Sequence, residues 1–354
     1  MRVRANPELS ARTQIQAIDA LIEAGALSRA RRRGSSLPRQ GRAELGIAAP
    51  ESRETPEVCV AGNGVEWVQA RQLREITWLW HGFSTRRGGV SRVHGTNGGK
   101  ATLNLGFTEE DTREAVLRNR ELFAEAVTGD SSTPLISLKQ FHSNLVVRAG
   151  LADAGVQPPR RADGLITGEP GVLLAVQTAD CIPVLVADRE RQVVGAFHAG
   201  WRGTVKRIVE CGVGQMRLEF GSRPEDLVAA IGPGIGGCCY AVGEEVLAAF
   251  ESQFAYARQL FHEVYDPDPV RTKYPMLFLN QRAPGHAEPC LSLHLDLVEA
   301  NRRQLLDAGV RPERIESAGG CTNCGTERFF SYRAEQGHTG RMMAVIGIRD
   351  AKTR

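Results

Sequence analysis

The chain has 354 residues, 42% hydrophobic and 24% charged, enough apolar material for one large domain or two small ones and unlike a disordered or fibrous chain. Its apolar runs are too short, and too often broken by charge, to cross a bilayer, and no N-terminal segment carries the apolar region of a secretory signal. The net charge of +3 matters less than its distribution; a cytoplasmic protein is expected, whose eight cysteines are reduced thiols and candidate ligands rather than a disulfide framework.

Residues 1–46 hold nine arginines against Glu8, Asp19, Glu23 and Glu44. Arg31-Arg32-Arg33 reads as part of a solvated basic tail rather than a nucleic-acid patch. Within the tail, Ile15, Ile18, Leu21, Ile22 and Leu27 form a roughly helical stripe, and the Gly-, Ser-, Pro- and Glu-rich stretch 34–57 reads as a linker. An N-terminal extension is therefore assigned to residues 1–56 and a single catalytic domain to residues 57–354. In that domain, 81–85 reads as a strand running into Arg86-Arg87-Gly88-Gly89. This is either a basic turn that wraps a phosphate with amides and a guanidinium or a plain hairpin turn. Residues 111–128 pattern as a helix; 172–176, 182–186 and 193–197 are apolar runs of strand length; helices are expected over 204–216, 243–251 and 296–308. The segment 262–290 reads as an ordered insertion or lid, and His262, His286 and His294 as surface or packing histidines.

Cys181 falls at the break between two of the apolar runs and His198 at the end of the third, and strand ends are where α/β folds assemble active sites. Together with His142 of Lys139-Gln140-Phe141-His142-Ser143-Asn144, they make one thiol and two imidazoles. That set suits a three-ligand metal centre with an open position, as catalytic zinc requires; a buried cysteine and two satisfied histidines is the alternative, and spacing does not decide. Gly200 and Gly203 open the following helix and place Arg202 near an N-terminus, where amides and a guanidinium hold an anion together. Asp180 either orients a histidine, serves as general acid/base, or caps the strand end. Cys238-Cys239 reads as packing around a turn, because adjacent cysteines rarely ligate one metal well. Cys321-Thr322-Asn323-Cys324 has the spacing of half a zinc ribbon or of a redox pair, but no second C-x₂-C completes a four-cysteine site, so packing is expected there too.

The motifs in their order resemble the YfiH family, also called the multicopper polyphenol oxidase or laccase-domain family. They are HGFSTRRGGVS (81–91), LNLG (103–106), KQFHSN (139–144), the ADG turn (162–164), TADCIPV (178–184) and FHAGWRG (197–203). They continue with IGPGIGGCCYAVGEEV (231–246), DLVEANRRQLLDAGV (296–310), CTNC (321–324), FFSYR (329–333) and TGRM (339–342).

The resemblance implies an α/β fold, a YfiH-type mixed-sheet sandwich flanked by helices, and a zinc ion on His142, Cys181 and His198, with copper as the alternative metal. It implies phosphorolysis of adenosine, inosine and methylthioadenosine, and deamination of adenosine, with Cys181, Asp180 and His198 as catalytic residues. Arg86 and Arg202 are the expected phosphate contacts, and Asn104 of LNLG lies on the substrate side. Multicopper chemistry fits poorly, because none of the eight histidines forms a His-x-His pair. The expected partners are purine nucleosides and phosphate, with no nucleic acid and no membrane, for a monomer or small homo-oligomer. The other enzyme class is a cysteine hydrolase, in which Cys181 attacks an amide of a peptidoglycan precursor with His198 or His142 as base.

Overall fold

The computed structural model describes residues 57–95, 101–265 and 291–350. The stripe at 15–27, the linker up to residue 56 and the 262–290 segment beyond Tyr265 lie outside the described residues. In chain order the elements begin with β1 (Glu57–Val60), β2 (Glu66–Gln69), α1 (Arg71–Arg74), β3 (Leu79–Ser84), β4 (Arg87–Ser91) and α2 (Arg113–Thr128). Next come β5 (Leu135–Ser137), β6 (Val146–Arg148), β7 (Gly164–Thr167), β8 (Leu173–Thr178), β9 (Ile182–Asp188) and β10 (Val193–Ala199). Helices α3 (Trp201–Val205) and α4 (Ile208–Phe220) lead to β11 (Leu227–Ile231), β12 (Ala241–Val242), α5 (Glu244–Glu251) and β13 (Phe261–Tyr265). The chain closes with β14 (Leu291–Leu295), α6 (Leu297–Asp307), β15 (Ile315–Ser317) and β16 (Met342–Ile348).

Side chains alternate across a strand, so a run that is apolar at every position must be covered on both faces. In β8, Leu174 and Val176 turn to one face and Leu173 and Ala175 to the other; β9 and β10 divide the same way. The result is two six-stranded mixed sheets packed face to face, in the order β1-β2-β3-β16-β8-β5 and β15-β11-β9-β10-β7-β6. Between them lies one core of Phe83, Leu174, Val176, Leu185, Ala187, Val194, Ala196, Ala344 and Ile346. Helix α2 covers the outer face of the first sheet through Leu122 and Phe123, against Trp80, Leu173 and Val345. Helices α4 and α6 cover the second sheet through Val209, Val213, Met216, Ala300 and Leu305. A small antiparallel sheet, β12-β14-β13, flanks them.

The helix over 111–128 is built as its sequence dictates. Thr112 caps its start by accepting the Ala115 N–H at 3.2 Å, and Gly129 closes it in the left-handed region at φ 85°. The helix expected over 204–216 instead begins at Trp201 and breaks at Arg207, whose φ is 63°. That break is held by the Arg207 guanidinium, which reaches Glu210 at 2.7 Å and the Gln253 carbonyl at 2.6 Å. Helix α4 then docks closely on β10: a Cβ on Gly212 would lie 2.3 Å from the Phe197 ring. The fully buried Phe197 fills the space this glycine leaves. Burial of that ring stabilises the contact by roughly 1.5–3 kcal/mol and fixes the strand that carries the next residue, His198.

Candidate functional site

Alternation along β10 puts His198 on the face of Val194 and Ala196, towards the first sheet, and its side chain is buried. Cys181 stands where the chain leaves β8 of the first sheet and enters β9 of the second. His142 lies in the connection from β5 of the first sheet to β6 of the second. Two of the three residues therefore come from crossings between the sheets. Their ligand atoms all lie within 4.8 Å of one another; Cys181 Sγ is 3.8 Å from His142 Nε2, and the two imidazole centroids are 5.0 Å apart at 65°.

What holds this cluster is Asp163, at the end of the loop that leads into β7, a residue to which sequence reasoning gave no role. It is fully buried. Its Oδ1 accepts from the His142 N–H at 3.0 Å and pairs with His198 Nδ1 at 2.9 Å; its Oδ2 accepts from the Ser143 N–H and Oγ, each at 2.7 Å. One carboxylate thus fixes the backbone of the first histidine and the tautomer of the second, and leaves His198 Nε2 to face Cys181. It also offsets local strain, since His142 sits at φ 62°. The signal for it was the ADG turn, which looked like a motif without a function.

The electrostatics follow from this geometry. Burial alone would raise the Cys181 thiol, but the His198 charge and hydrogen bonds from both imidazoles outweigh it and bring its pKa down to about 6. Burial would likewise lower His198, yet the Cys181 charge and the Asp163 hydrogen bond raise it to about 9. The metal-free pair is a thiolate beside an imidazolium. Gly200 preserves the space in front of it: a Cβ there would lie 2.7 Å from His142 Cδ2 and 2.9 Å from Cys181 Sγ.

The other expected residues are placed as follows. Asp180, at φ 86°, turns away from the histidines. Its Oδ1 accepts from Thr322 Oγ1 at 2.6 Å and Ser331 Oγ at 2.7 Å, and its Oδ2 from the Arg333 N–H at 2.6 Å. The carboxylate therefore anchors the 321–333 segment beside the site and makes no contact with an imidazole. Arg202 lies at the start of α3, exposed, with its guanidinium 4.2 Å above the Trp201 ring. Arg333, also exposed, stacks 5.3 Å above Tyr240. Burial and the nearby Cys181 charge push the Tyr240 phenol up, against the pull of Arg333 and Arg202, so both cations act on the same ring beside the cluster.

Arg86 does not match the expectation that it faces phosphate. It is only 3% exposed, and its terminal nitrogens are spent on the carbonyls of Thr326, Phe329 and His94 and on the Glu335 carboxylate. The basic Gly-Gly stretch after it is strand β4, with Gly88 and Gly89 packed on the Gly64 and Thr102 backbone, rather than an open turn. Asn104 is fully buried; its amide serves Gly106, Asp111 and the Arg341 N–H. Both residues brace loops through these bonds.

A second cysteine cluster corrects the expectation of simple packing. Cys238, Cys239, Cys321 and Cys324 also bring their sulfur atoms within 4.8 Å of one another, so the described residues hold two groups able to take a metal ion.

Residues 80–349 match the family described as multi-copper polyphenol oxidoreductase laccase. The purine nucleoside phosphorylase YlmD of Bacillus subtilis (strain 168) is 34% identical over 308 residues, which cover 85% of this chain and 98% of that protein. A purine nucleoside phosphorylase of Deinococcus radiodurans is 41% identical over 275 residues, 76% of this chain and 88% of that one. The crystal structure of YlmD from Geobacillus stearothermophilus aligns with a TM-score of 0.63 at 32% identity, over 80% of this chain and 96% of its own. The Bacillus licheniformis hypothetical protein YfiH aligns with a TM-score of 0.66 at 29% identity, over 82% and 99%.

Proposed function

Since the chain belongs to the multi-copper polyphenol oxidoreductase laccase family, we propose that it is a zinc-dependent purine nucleoside phosphorylase, acting on adenosine, inosine and S-methyl-5′-thioadenosine, that also deaminates adenosine. The observation that carries this reading is the convergence of His142, Cys181 and His198, with Asp163 locking His198 through Nδ1. A thiolate, two imidazoles, a carboxylate behind one of them and the space kept by Gly200 fit a zinc ion bound by three protein groups with one position left for substrate or water. When bound, the ion supplies Lewis-acid polarisation of a substrate or water oxygen. Copper clusters need more imidazoles; among the described residues this group contains His142 and His198 alone.

The chain's own residues supply the rest. Arg202, at the start of α3, and Arg333 flank Tyr240 and hold phosphate, Arg202 with the bidentate geometry that a lysine lacks. The Trp201 and Tyr240 rings beside these cations offer flat faces to a purine. Asp163 keeps His198 in one tautomer, and Asp180 holds the 321–333 wall so that Arg333 stays in place. The names of the bacterial relatives support the phosphorylase chemistry.

One observation favours a second reading. Cys181, His198 and Asp163 are also ordered as nucleophile, base and orienting carboxylate, the arrangement of a cysteine amidase acting on a cell-wall precursor. One experiment separates the two. Purified protein is assayed on adenosine, inosine and methylthioadenosine, with and without phosphate, before and after chelation and zinc return. The phosphorylase reading expects phosphate-dependent base release that is lost on chelation and restored by zinc, and that His142→Ala abolishes. No phosphate-dependent base release from the nucleosides, together with chelation-resistant hydrolysis of a peptidoglycan-precursor amide in which the amine leaves and the acyl group is trapped on Cys181, overturns it in favour of the amidase.

A further inference from the structure

The four cysteines outside the site come from two turns far apart in sequence: Cys238 and Cys324 are separated by 86 residues, yet their sulfur atoms are 3.7 Å apart. Cys239 Sγ is 3.3 Å from Cys324 Sγ, and all four sulfurs lie within 4.8 Å of one another. Zinc bound by thiolates at about 2.3 Å forms a tetrahedron whose edges are about 3.8 Å. The sulfurs are thus already spaced for one tetrahedral ion, and an all-sulfur tetrahedral set suits zinc or iron, of which zinc is the redox-inert one that a purely structural site uses. A backbone donor supports them, since Cys321 Sγ accepts the Gly236 N–H at 3.2 Å. Cys238 and Cys324 are exposed, which gives an ion a way in.

Both turns continue directly into the wall of the catalytic cluster. Gly236–Cys239 leads to Tyr240, whose N–H is bonded to the Gly236 carbonyl at 3.0 Å. Between Cys321 and Cys324, Thr322 donates to Asp180, the neighbour of Cys181, and the Thr322 N–H bonds the Gly234 carbonyl at 3.0 Å. Four protein donors leave no open position, so an ion here closes its shell and does no chemistry.

We propose that Cys238, Cys239, Cys321 and Cys324 form a second, structural zinc site that staples the 236–240 turn to the 321–325 turn and so fixes the wall carrying Tyr240 and the Thr322–Asp180 contact. Only the count of two ions in wild type rests on the zinc reading of the first site; the ion kept by Cys181→Ala and the shielding of the four thiols test this site alone.

The full-length chain is purified under reducing conditions with zinc, and metal is counted in wild type, in Cys181→Ala and in Cys321→Ser/Cys324→Ser. Two zinc ions per chain are expected in wild type and one in each variant. In Cys181→Ala the remaining ion, replaced by cobalt, is expected to give the intense ligand-field absorption of a tetrathiolate. Peptide mapping should show Cys238, Cys239, Cys321 and Cys324 shielded from maleimide until an organomercurial displaces the metal. If the double variant does not fold, wild type and Cys181→Ala decide the question alone. No metal in Cys181→Ala, immediate labelling of the four thiols, or disulfides among them overturns the proposal.

Discussion

The Asp163 carboxylate acts on five groups at once, the N–H groups of Phe141, His142 and Ser143, the Ser143 hydroxyl and His198 Nδ1, which makes it the residue whose loss is expected to reach furthest. Asp163→Ala frees His198 Nδ1 and strands the N–H groups of His142 and Ser143. Removal of such a supporting carboxylate lowers metal affinity by about 10- to 100-fold. A competition titration against a zinc chelator checks this, and unchanged affinity would show that His198 is positioned by packing alone. The Cys181–His198 pair also sets a proton count. Zinc takes a thiolate and a neutral imidazole, and the metal-free pair has a thiol at about 6 and an imidazolium at about 9. Between those pH values binding releases one proton from the pair, from His198; below 6 it releases two, and above 9 none. The pair's contribution to apparent zinc affinity therefore rises tenfold per pH unit from 6 to 9 and then levels off. Calorimetry in buffers of different ionisation enthalpy measures the count; a pH-independent affinity over that range would contradict it. The three candidate ligands were legible because they stand within motifs, Cys181 and His198 also at strand ends. Asp163 was not, because nothing in a residue type says which backbone amides it will meet. Arg86 was ambiguous for the same reason: a guanidinium two residues before a Gly-Gly pair looks the same in sequence whether it faces a phosphate or, as here, three carbonyls.

Among the elements, the segment 321–333 is tied to the turn that carries Cys181 through a single aspartate. Three short hydrogen bonds from Thr322, Ser331 and the Arg333 amide end on Asp180, whose side chain is nearly buried. Asp180→Ala leaves these donors unpaired, at a cost of about 3 kcal/mol of stability. Hydrogen exchange is expected to speed up through 321–333 while zinc content at His142, Cys181 and His198 stays near wild type. A selective loss of that zinc instead would return Asp180 to the metal-orienting role. The long helices and the buried strands were readable from period and from caps such as Thr112 and Gly129. The break at Arg207 was not, since it is imposed by Glu210 and by Gln253 from another part of the fold. The cysteine pairs escaped for a related reason: each looks incomplete alone, and long-range contacts, the parallel pairing of β11 with β15 and the bridge between Gly234 and Cys321, bring them together.

At the scale of the whole molecule, the two sheets are joined by a broad apolar core, and the chain passes between them in loops. Two of those passages carry His142 and Cys181. An ion gripped there works as a rivet through the seam of the sandwich, and its binding free energy adds to the resistance of the halves to parting. At one hundred times its dissociation constant a ligand of the folded state contributes about 2.7 kcal/mol. Zinc is therefore expected to raise the melting temperature of wild type by several degrees more than that of His142→Ala. Equal gains in the two proteins would show that the seam holds without the ion. On the proposed zinc reading, durability and turnover would draw on the same ion, and a shortage of zinc would weaken the fold along with the reaction.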